Sequence, residues 1–304
     1  MKRRNFIKQL GSASALTMAS GLVLPTLETN AKKHITILHT NDTHSHIEPF
    51  KPTHNRNPNR GGVARRATLI DQVRRENKNT LLLDAGDIFQ GTPYFNYFGG
   101  ELEFKLMSML KYDVATIGNH DFDNSIEGLY KQLPNAKFDF VSANYDFKNT
   151  VLDTHVKPYK IIIKDGVKIG IFGLGVELEG LVGKKMYKET KYLDPVTVSQ
   201  DITTKLKTVE KCDLIICLSH LGYYYKNNPD KISDLNLAKI TKNIDLIIGG
   251  HTHTFLPKPT LVKNLDDKNI LVNQVGAYGV HLGRIDFYFD ENKNKTDSGT
   301  TILV

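Results

Sequence analysis

Short apolar runs alternate with segments of helical spacing along the chain from residue 33 onward. This alternation predicts an α/β fold in which helices pack against β-sheets. Strands are predicted over residues 35–39, 80–84, 113–117, 138–143, 214–218, 245–248, 270–273 and 284–289, with a hairpin over residues 159–174 that turns at Asp165 and Gly166. Helices are predicted over residues 63–75, 102–110 and 233–241, the last with Ser233 or Asp234 as its N-cap.

The remaining segments predict a single domain over residues 32–304, because no linker is visible. Proline and asparagine in residues 48–60 and 222–230 predict loops, and both loops are expected to border a functional site. After the last predicted strand, which is expected to end near residue 290, only a polar tail is expected.

Five of the apolar runs end on an acid, an amide or a histidine. The five segments are ITILHTNDTH, LLLDAGD, VATIGNH, LIICLSH and LIIGGHTH, and the residues they deliver are Asp42, His44, Asp87, Asn119, His120, His220, His251 and His253. Active sites of open α/β sheets form outside the carboxyl ends of the strands. The eight residues are therefore predicted to converge on one site.

The chemistry of these side chains predicts a two-metal centre. Two divalent cations about 3.5 to 4 Å apart can hold a hydroxide and clamp the oxygens of a phosphoryl group. Such a centre needs a bridging carboxylate, and Asp87 is the natural bridge because it follows its strand closely. Mixed nitrogen and oxygen ligands suit Mn, Zn, Fe, Co or Ni and do not choose among them.

The composition is that of a globular protein, with 304 residues, 40% of them hydrophobic and 24% charged. The net charge of +7 comes partly from the first 31 residues, where basic residues outnumber acidic ones. The remainder is only mildly basic, which predicts no binding to a nucleic-acid polymer, although it suits an anionic substrate.

Residues 1–31 have the pattern of an export signal, with a basic start and an apolar stretch too short to span a membrane. The segment Arg3-Arg4-Asn5-Phe6-Ile7-Lys8 resembles a twin-arginine motif, which predicts export to the periplasm; the general secretory route is the alternative. No cysteine lies near this segment, so no membrane anchor is expected. Cys212 and Cys217 lie too far apart on one predicted strand for a disulfide and are expected to be buried thiols.

The segments NDTHSH, GDIFQGTP, GNHDFD, SHLG and GGHTH resemble, in this order, the metallophosphatase domain of the bacterial 5′-nucleotidase family, within the calcineurin-like phosphoesterases. The resemblance extends from about residue 34 to residue 290. It implies a four-layer αββα sandwich of two mixed β-sheets flanked by helices, with two divalent metal ions as cofactors. It also implies a phosphohydrolase, most similar to a 5′-nucleotidase-type phosphomonoesterase of nucleotide catabolism, and the signal pattern of residues 1–31 predicts that this enzyme is exported.

By position, the resemblance assigns a role to each polar residue that follows one of the five apolar runs. It implies one metal held by Asp42, His44, Asp87 and His253, and a second held by Asp87, Asn119, His220 and His251. It implies His120 and Asp123 as the catalytic pair that assists attack by a metal-bound hydroxide, and Asn119 and His120 as substrate contacts. Asp121 stands where related sequences usually carry Glu, a departure that we expect to be tolerated.

Other polar side chains have structural interpretations. His39 lies inside a predicted strand and is expected in the core, and His46 is left out of the ligand set. Arg65 and Arg66 are expected to be solvated because they lie on a predicted helix. Tyr223, Tyr224 and Tyr225 either stack on a nucleobase or serve a structural role.

Full-length members of the resembled family carry a second domain that binds the nucleotide, and this sequence is expected to stop before it. Three functions therefore stay open. In the first, the chain hydrolyses nucleotides, either alone or with a separate partner chain that supplies substrate recognition. Alternatively, it hydrolyses another small ester, such as a sugar phosphate or a cyclic nucleotide, or a sulfur-containing anion. In the third case it is a metal-stabilised subunit with little activity of its own.

Overall fold

Two six-stranded mixed β-sheets form the centre of the molecule in the computed structural model, which describes residues 33–304 as one compact unit. The predicted export signal lies outside the described residues. The strands are β1 (Lys33–Thr40), β2 (Thr80–Asp84), β3 (Val114–Ala115), β4 (Asp139–Phe140), β5 (Tyr145–Asp146), β6 (Tyr159–Lys164), β7 (Val167–Leu174), β8 (Lys191–Tyr192), β9 (Leu214–Ser219), β10 (Leu246–Gly249), β11 (Thr260–Lys263), β12 (Asn269–Asn273), β13 (His281–Phe289) and β14 (Lys295–Leu303).

Helices connect these strands and cover the outer faces of both sheets. They are α1 (Val63–Glu76), α2 (Pro93–Phe98), α3 (Glu101–Met109), α4 (Ser125–Gln132), α5 (Lys184–Tyr187), α6 (Pro195–Thr208) and α7 (Asp234–Ile240), with single 3₁₀ turns at His120–Phe122 and Leu133–Asn135. Among the helices of residues 33–304, none has the length and apolar character that crossing a membrane requires.

The first sheet has the strand order β14-β13-β1-β2-β3-β4 and the second has the order β11-β12-β10-β9-β7-β6. Strands β1 to β4 are parallel, and so are β7, β9, β10 and β12; the remaining pairs in the two sheets are antiparallel. Parallel strands end at the same edge of a sheet. The carboxyl ends of β1, β2 and β3 therefore lie side by side, as do those of β9 and β10.

Alternating side chains divide the apolar residues among three core layers. On β2, Leu81 and Leu83 pack between the sheets against residues such as Ile216 of β9, whereas Leu82 faces the helices of the first sheet. On β9, Cys217 faces α6 and α7 instead. This period-two pattern yields helix, sheet, sheet and helix layers. The predicted αββα sandwich is thus confirmed.

Local signals placed several elements correctly. The helix predicted over residues 233–241 is α7, and Ser233 caps it by accepting a hydrogen bond from the backbone N–H of Asn236. The predicted hairpin is β6 and β7, and its turn residues Asp165 and Gly166 have φ angles of 50° and 71°. Both cysteines are buried and unpaired, as expected.

The expectation of a polar tail after residue 290 is wrong. Residues Lys295–Leu303 form β14, which pairs antiparallel with the whole length of β13 at the edge of the first sheet. An edge strand has one strand neighbour, and most of β14 is at least partly exposed, so its sequence carries little apolar signal. Helices α4 and α6 were also absent from the sequence-based prediction.

Candidate metal centre

Five strand ends bring the predicted residues together at one edge of the two sheets. In the first sheet, β1 leads to Asp42 and His44, β2 leads to Asp87, and β3 leads to Asn119 and His120. In the second sheet, β9 leads to His220 and β10 leads to His251 and His253. Each sheet therefore supplies part of the site.

The side chains form two groups of metal-ligand type. Asp42, His44 and His253 make the first group, and Asp87, His220 and His251 make the second. Asn119 adjoins the second group, because its Oδ1 lies 2.8 Å from His251 Nδ1. Asp87 lies between the groups, since its Oδ2 is 3.1 Å from His220 Nε2 and 3.8 Å from His44 Nε2.

The spacing of the donor atoms fits bound cations. Two nitrogen or oxygen ligands of one metal, each about 2.0–2.2 Å from it, lie roughly 3 to 3.5 Å apart. In the first group His253 Nε2 is 3.0 Å from His44 Nε2 and 3.3 Å from Asp42 Oδ1. In the second group, His220 Nε2 is fully buried and makes no hydrogen bond of good geometry, although it lies 3.1 Å from Asp87 Oδ2. A buried atom of this kind is suited to a metal.

Backbone hydrogen bonds orient the imidazoles. His220 Nδ1 is 2.7 Å from the carbonyl oxygen of Ala85, and His44 Nδ1 is 3.2 Å from that of Phe89. An Nδ1–H that donates to a carbonyl leaves the lone pair of Nε2 for a metal. This arrangement points both Nε2 atoms toward Asp87.

Opposing effects set the protonation of the histidines. Burial lowers the pKa of His251 to about 4, so this ring is neutral at neutral pH, the form that binds metals. Burial also lowers the pKa of His44. For His220 burial acts in the same direction, but the charges of Asp87 and Asp42 outweigh it and raise the pKa to about 10. The buried carboxylates thus attract positive charge.

The backbone at the candidate ligands is held in an unusual conformation. Five of the seven have φ angles in the left-handed region, which residues other than glycine seldom adopt: Asp42 at 49°, His44 at 48°, Asp87 at 55°, His251 at 71° and His253 at 50°. Conformations of this kind cluster at functional sites and persist where the surroundings fix them.

Hydrogen bonds between the loops fix these conformations. The backbone N–H of Asp42 donates to Gly86, and that of His44 donates to Asp87. The buried carboxylate of Asp121 accepts bonds from four backbone N–H groups, those of Asp87, Ile88, Phe89 and Gly118. Asp121 therefore holds the loop that presents Asp87, a role that the sequence did not indicate.

His120 and Asp123 form a pair beside the two groups. His120 Nδ1 lies 2.8 Å from Asp123 Oδ2, and the hydrogen bond between them raises the pKa of His120, while burial acts in the opposite direction. The backbone N–H of His120 donates to Asp87 Oδ1, and its ring is 5.3 Å from that of His44. The pair is partly exposed, as is His253, so this side of the site is open to solvent.

The sequence of residues 35–255 matches the model of the calcineurin-like phosphoesterases. The chain belongs to this family. Its members are metal-dependent phosphoric ester hydrolases with a dinuclear metal centre, and the two ligand groups described above correspond to such a centre.

Calcineurin-like phosphoesterases that act on nucleotides are among the similar proteins. A snake venom 5′-nucleotidase from Crotalus adamanteus is 36% identical over 292 residues, a match that covers 89% of this chain and 48% of the relative. The crystal structure of a 5′-nucleotidase precursor from Thermus thermophilus has a TM-score of 0.79 at 34% identity, covering 90% of this chain and 55% of that one. The chain thus spans about half the length of the 5′-nucleotidases that it matches.

A third similar structure shares the fold. The solved structure of a calcineurin-like phosphoesterase from Bacillus subtilis has a TM-score of 0.73 at 27% identity, and the match covers 90% of this chain and 91% of that one.

Other residues of this member of the family take structural positions. His39 is buried, accepts a hydrogen bond at Nε2 from the side-chain amide of Asn273, and has a pKa of about 3 because of burial. This confirms its place in the core. Arg66 is buried, which corrects the expectation that it is solvated, whereas Arg65 is exposed. A Cβ atom added at Gly279 would lie 2.2 Å from Arg66 Nη1, so the guanidinium would have to shift.

Two of the three loop tyrosines also bond within the protein. The hydroxyl of Tyr223 is 2.9 Å from Thr260 Oγ1, and that of Tyr225 donates to the carbonyl of Leu221 at 2.7 Å. These bonds favour the structural interpretation for both residues.

Proposed function

We propose that this chain is an exported dinuclear-metal phosphohydrolase, and that its substrates are phosphomonoesters of the 5′-nucleotide type. The observation that carries the proposal is the position of Asp87 between two ligand groups, with the His120–Asp123 pair beside them. The similarity to 5′-nucleotidases supports nucleotides as the substrate class.

In this proposal, the ligands divide between two cations. Asp42, His44, Asp87 and His253 hold one metal, and Asp87, Asn119, His220 and His251 hold the other. When bound, the two cations supply an activated water nucleophile and neutralise charge on the phosphoryl oxygens. The mixed nitrogen and oxygen donors suit Mn, Zn, Fe, Co and Ni alike.

His120 acts on the phosphate and the leaving group. Its hydrogen bond to Asp123 raises its pKa and so favours the imidazolium. The imidazolium of His120 stabilises the charge that develops on the phosphoryl oxygens, and its proton helps the leaving oxygen depart. Asn119, which precedes it, contacts both the metal and the substrate in the proposal.

We propose nucleotides, and not the other ester classes, as substrates because the similar proteins include 5′-nucleotidases. The match to a trifunctional nucleotide phosphoesterase of Bacillus subtilis, at 35% identity over 84% of this chain, keeps other nucleotide esters as a second candidate. The likeness to a sulfate thiohydrolase, at 19% identity, concerns the fold alone. The relatives give no support to a separate partner chain.

Hydrolysis assays with defined metals test the proposal. The purified protein is loaded with Mn, Zn or Co, and phosphate release is measured from AMP, ribose 5-phosphate and a cyclic nucleotide. Asp87→Ala is expected to lose bound metal and activity together. His120→Ala is expected to keep its metal, as measured by elemental analysis, and to lose about 10²- to 10⁴-fold in kcat. Full activity in His120→Ala would refute the assigned pair, and no hydrolysis with any metal would refute the function.

The export part of the proposal rests on the signal pattern of residues 1–31, and the twin-arginine route rests on the Arg3-Arg4 motif. Cell fractionation tests it: replacing both arginines by lysine is expected to keep the protein in the cytoplasm. Periplasmic protein in that variant would argue for another route.

A further inference from the structure

We propose that a cleft beside the metal centre holds the nucleobase of the substrate, which is the aromatic part of its nucleoside leaving group, on residues of this chain itself. The cleft has a volume of about 510 Å³ and is lined by four rings, those of His46, Phe50, His54 and Tyr278. This inference rests on the proposed function, because it assigns the part of a nucleotide that lies beyond the phosphate. It names specificity-determining residues outside the ligand set.

The four rings form a continuous row. Ring centroids are 4.3 Å apart for His54 and Phe50, 4.7 Å for Phe50 and His46, and 4.7 Å for His46 and Tyr278. Bases stack on aromatic side chains with little dependence on sequence, because every base has a π-face. A row of rings beside open space therefore suits a base better than it suits an aliphatic group.

The row begins at the metal centre. The ring of Tyr278 is 5.8 Å from that of His44 and 5.6 Å from that of His253, both members of the first ligand group. Tyr278 thus contacts the metal ligands on one side and His46 on the other. A substrate with its phosphate at the metals has its leaving group directed along this row.

The conformation of Tyr278 fixes its ring in this place. Its φ angle is 64°, which is rare for a bulky residue, and its backbone N–H donates to the carbonyl of Asp42 at 2.7 Å. Strain of this kind is retained where the surroundings determine the conformation, and it is concentrated at functional sites. The strained tyrosine is therefore tied directly to a metal ligand.

The loop that carries the other rings is ordered by its own hydrogen bonds. Phe50 donates its backbone N–H to Arg60 at 2.8 Å, and His54 donates to Lys51 at 3.0 Å. Asn55 and Asn57 line the same cleft, and their side-chain amides can donate to and accept from the edge of a base. Stacking faces and polar groups for the base edge thus occur together.

A comparison of two substrates tests the inference. AMP and ribose 5-phosphate share the ester and the sugar but differ in the base. For the metal-loaded wild type, kcat/KM is expected to be at least about tenfold higher for AMP. Phe50→Leu is expected to lower this preference about tenfold, mainly through a higher KM for AMP, whereas Phe50→Tyr retains it. The control Tyr97→Leu, at a ring that is 84% exposed on α2, leaves the preference as in wild type.

The possible outcomes separate the cleft from the proposed function. Equal kcat/KM for both esters, or an unchanged preference in Phe50→Leu, overturns the inference and leaves phosphohydrolase activity standing. If neither ester is hydrolysed, the proposed function fails. Equilibrium dialysis then measures whether the cleft binds adenosine. Adenosine binding that weakens about tenfold in Phe50→Leu supports it. No binding, or binding equal in the variant and the wild type, overturns it.

Discussion

The backbone conformations of the candidate ligands show how the fold places their donor atoms. A residue held in a sparsely populated backbone conformation costs about 1–3 kcal/mol, and five candidate ligands are of this kind. The loops keep these conformations through bonds such as that from the N–H of Asp42 to Gly86. The donor atoms are consequently placed by the fold, so metal binding need not order the loops first.

Gly118 offers a test of this placement at a single residue. A Cβ atom added there lies 2.2 Å from Asp87 Oδ1 and 2.5 Å from its backbone nitrogen, so Gly118→Ala must displace Asp87, the proposed bridging ligand. We expect about a 10- to 100-fold loss of metal affinity, measured by metal titration. Gly183→Ala is the control, because nothing lies within 4 Å of its added Cβ. Wild-type affinity in Gly118→Ala would show that the carboxylate position is not critical.

Residue identities alone predicted which side chains meet, but not how they are held. Asp87 was identifiable because it follows an apolar strand in a motif. The four backbone hydrogen bonds to Asp121 depend on how two loops cross, and the burial of Arg66 depends on its packing beneath Gly279. Neither relation has a sequence signal in its own segment.

At the scale of elements, the buried central strands were predictable, whereas the exposed edge strand β14 was not. Strands β2 and β9 are buried on both faces and therefore read as continuous apolar runs. β14 reads KTDSGTTIL, which resembles a polar tail, because it is an edge strand. What defines it as a strand is its antiparallel pairing with β13, a long-range property.

An ion-pair network joins β1 to its antiparallel neighbour β13. Asp286 of β13 accepts hydrogen bonds from Thr36 Oγ1 at 2.6 Å and Arg284 Nε at 2.8 Å, and His34 Nε2 lies 2.7 Å away. Burial raises the pKa of Asp286, but these bonds outweigh it and lower the pKa below the usual range. A depressed carboxyl pKa stabilises the fold above the unfolded-state pKa of about 3.9 and ceases to do so as the pH falls through the folded-state value.

Asp286→Asn is therefore expected to destabilise the protein in a pH-dependent way. At pH 7 the free energy of unfolding should fall by about 1–3 kcal/mol, measured by urea denaturation with a chelator present in all samples. The difference from wild type should shrink as the pH is lowered below about 4. Glu291→Gln, at an exposed acid, serves as the control. A difference that stays constant from pH 7 to pH 3 would contradict the ionic role.

At the scale of the whole molecule, the candidate metal centre takes residues from both sheets. Asp42, His44, Asp87 and Asn119 follow strands of the first sheet, whereas His220, His251 and His253 follow strands of the second. Apolar contacts between the sheets already form one core layer. Bound cations would add a second connection, located at the edge where the carboxyl ends of the strands meet.

Metal removal is accordingly expected to lower the thermal stability of the molecule. A ligand that binds only the folded state at 100 times its Kd stabilises that state by about 2.7 kcal/mol. For a protein of this size each kcal/mol shifts Tm by about 2–4 °C, so chelation should lower Tm by roughly 5–10 °C for each metal lost. Scanning calorimetry before and after chelation, with elemental analysis of the same samples, measures the effect.

Asp87→Ala provides the matched comparison for this experiment, since its carboxylate, the proposed bridge, lies near both ligand groups. The Tm of this variant should change little on chelation. Adding metal back should restore the Tm of the chelated wild type and should leave the Tm of the variant unchanged. If chelation removes the metals from wild type and its Tm stays the same, the cations do not stabilise the joined sheets. The carboxylates and imidazoles would then hold their arrangement without them, which would assign the cations to chemistry alone.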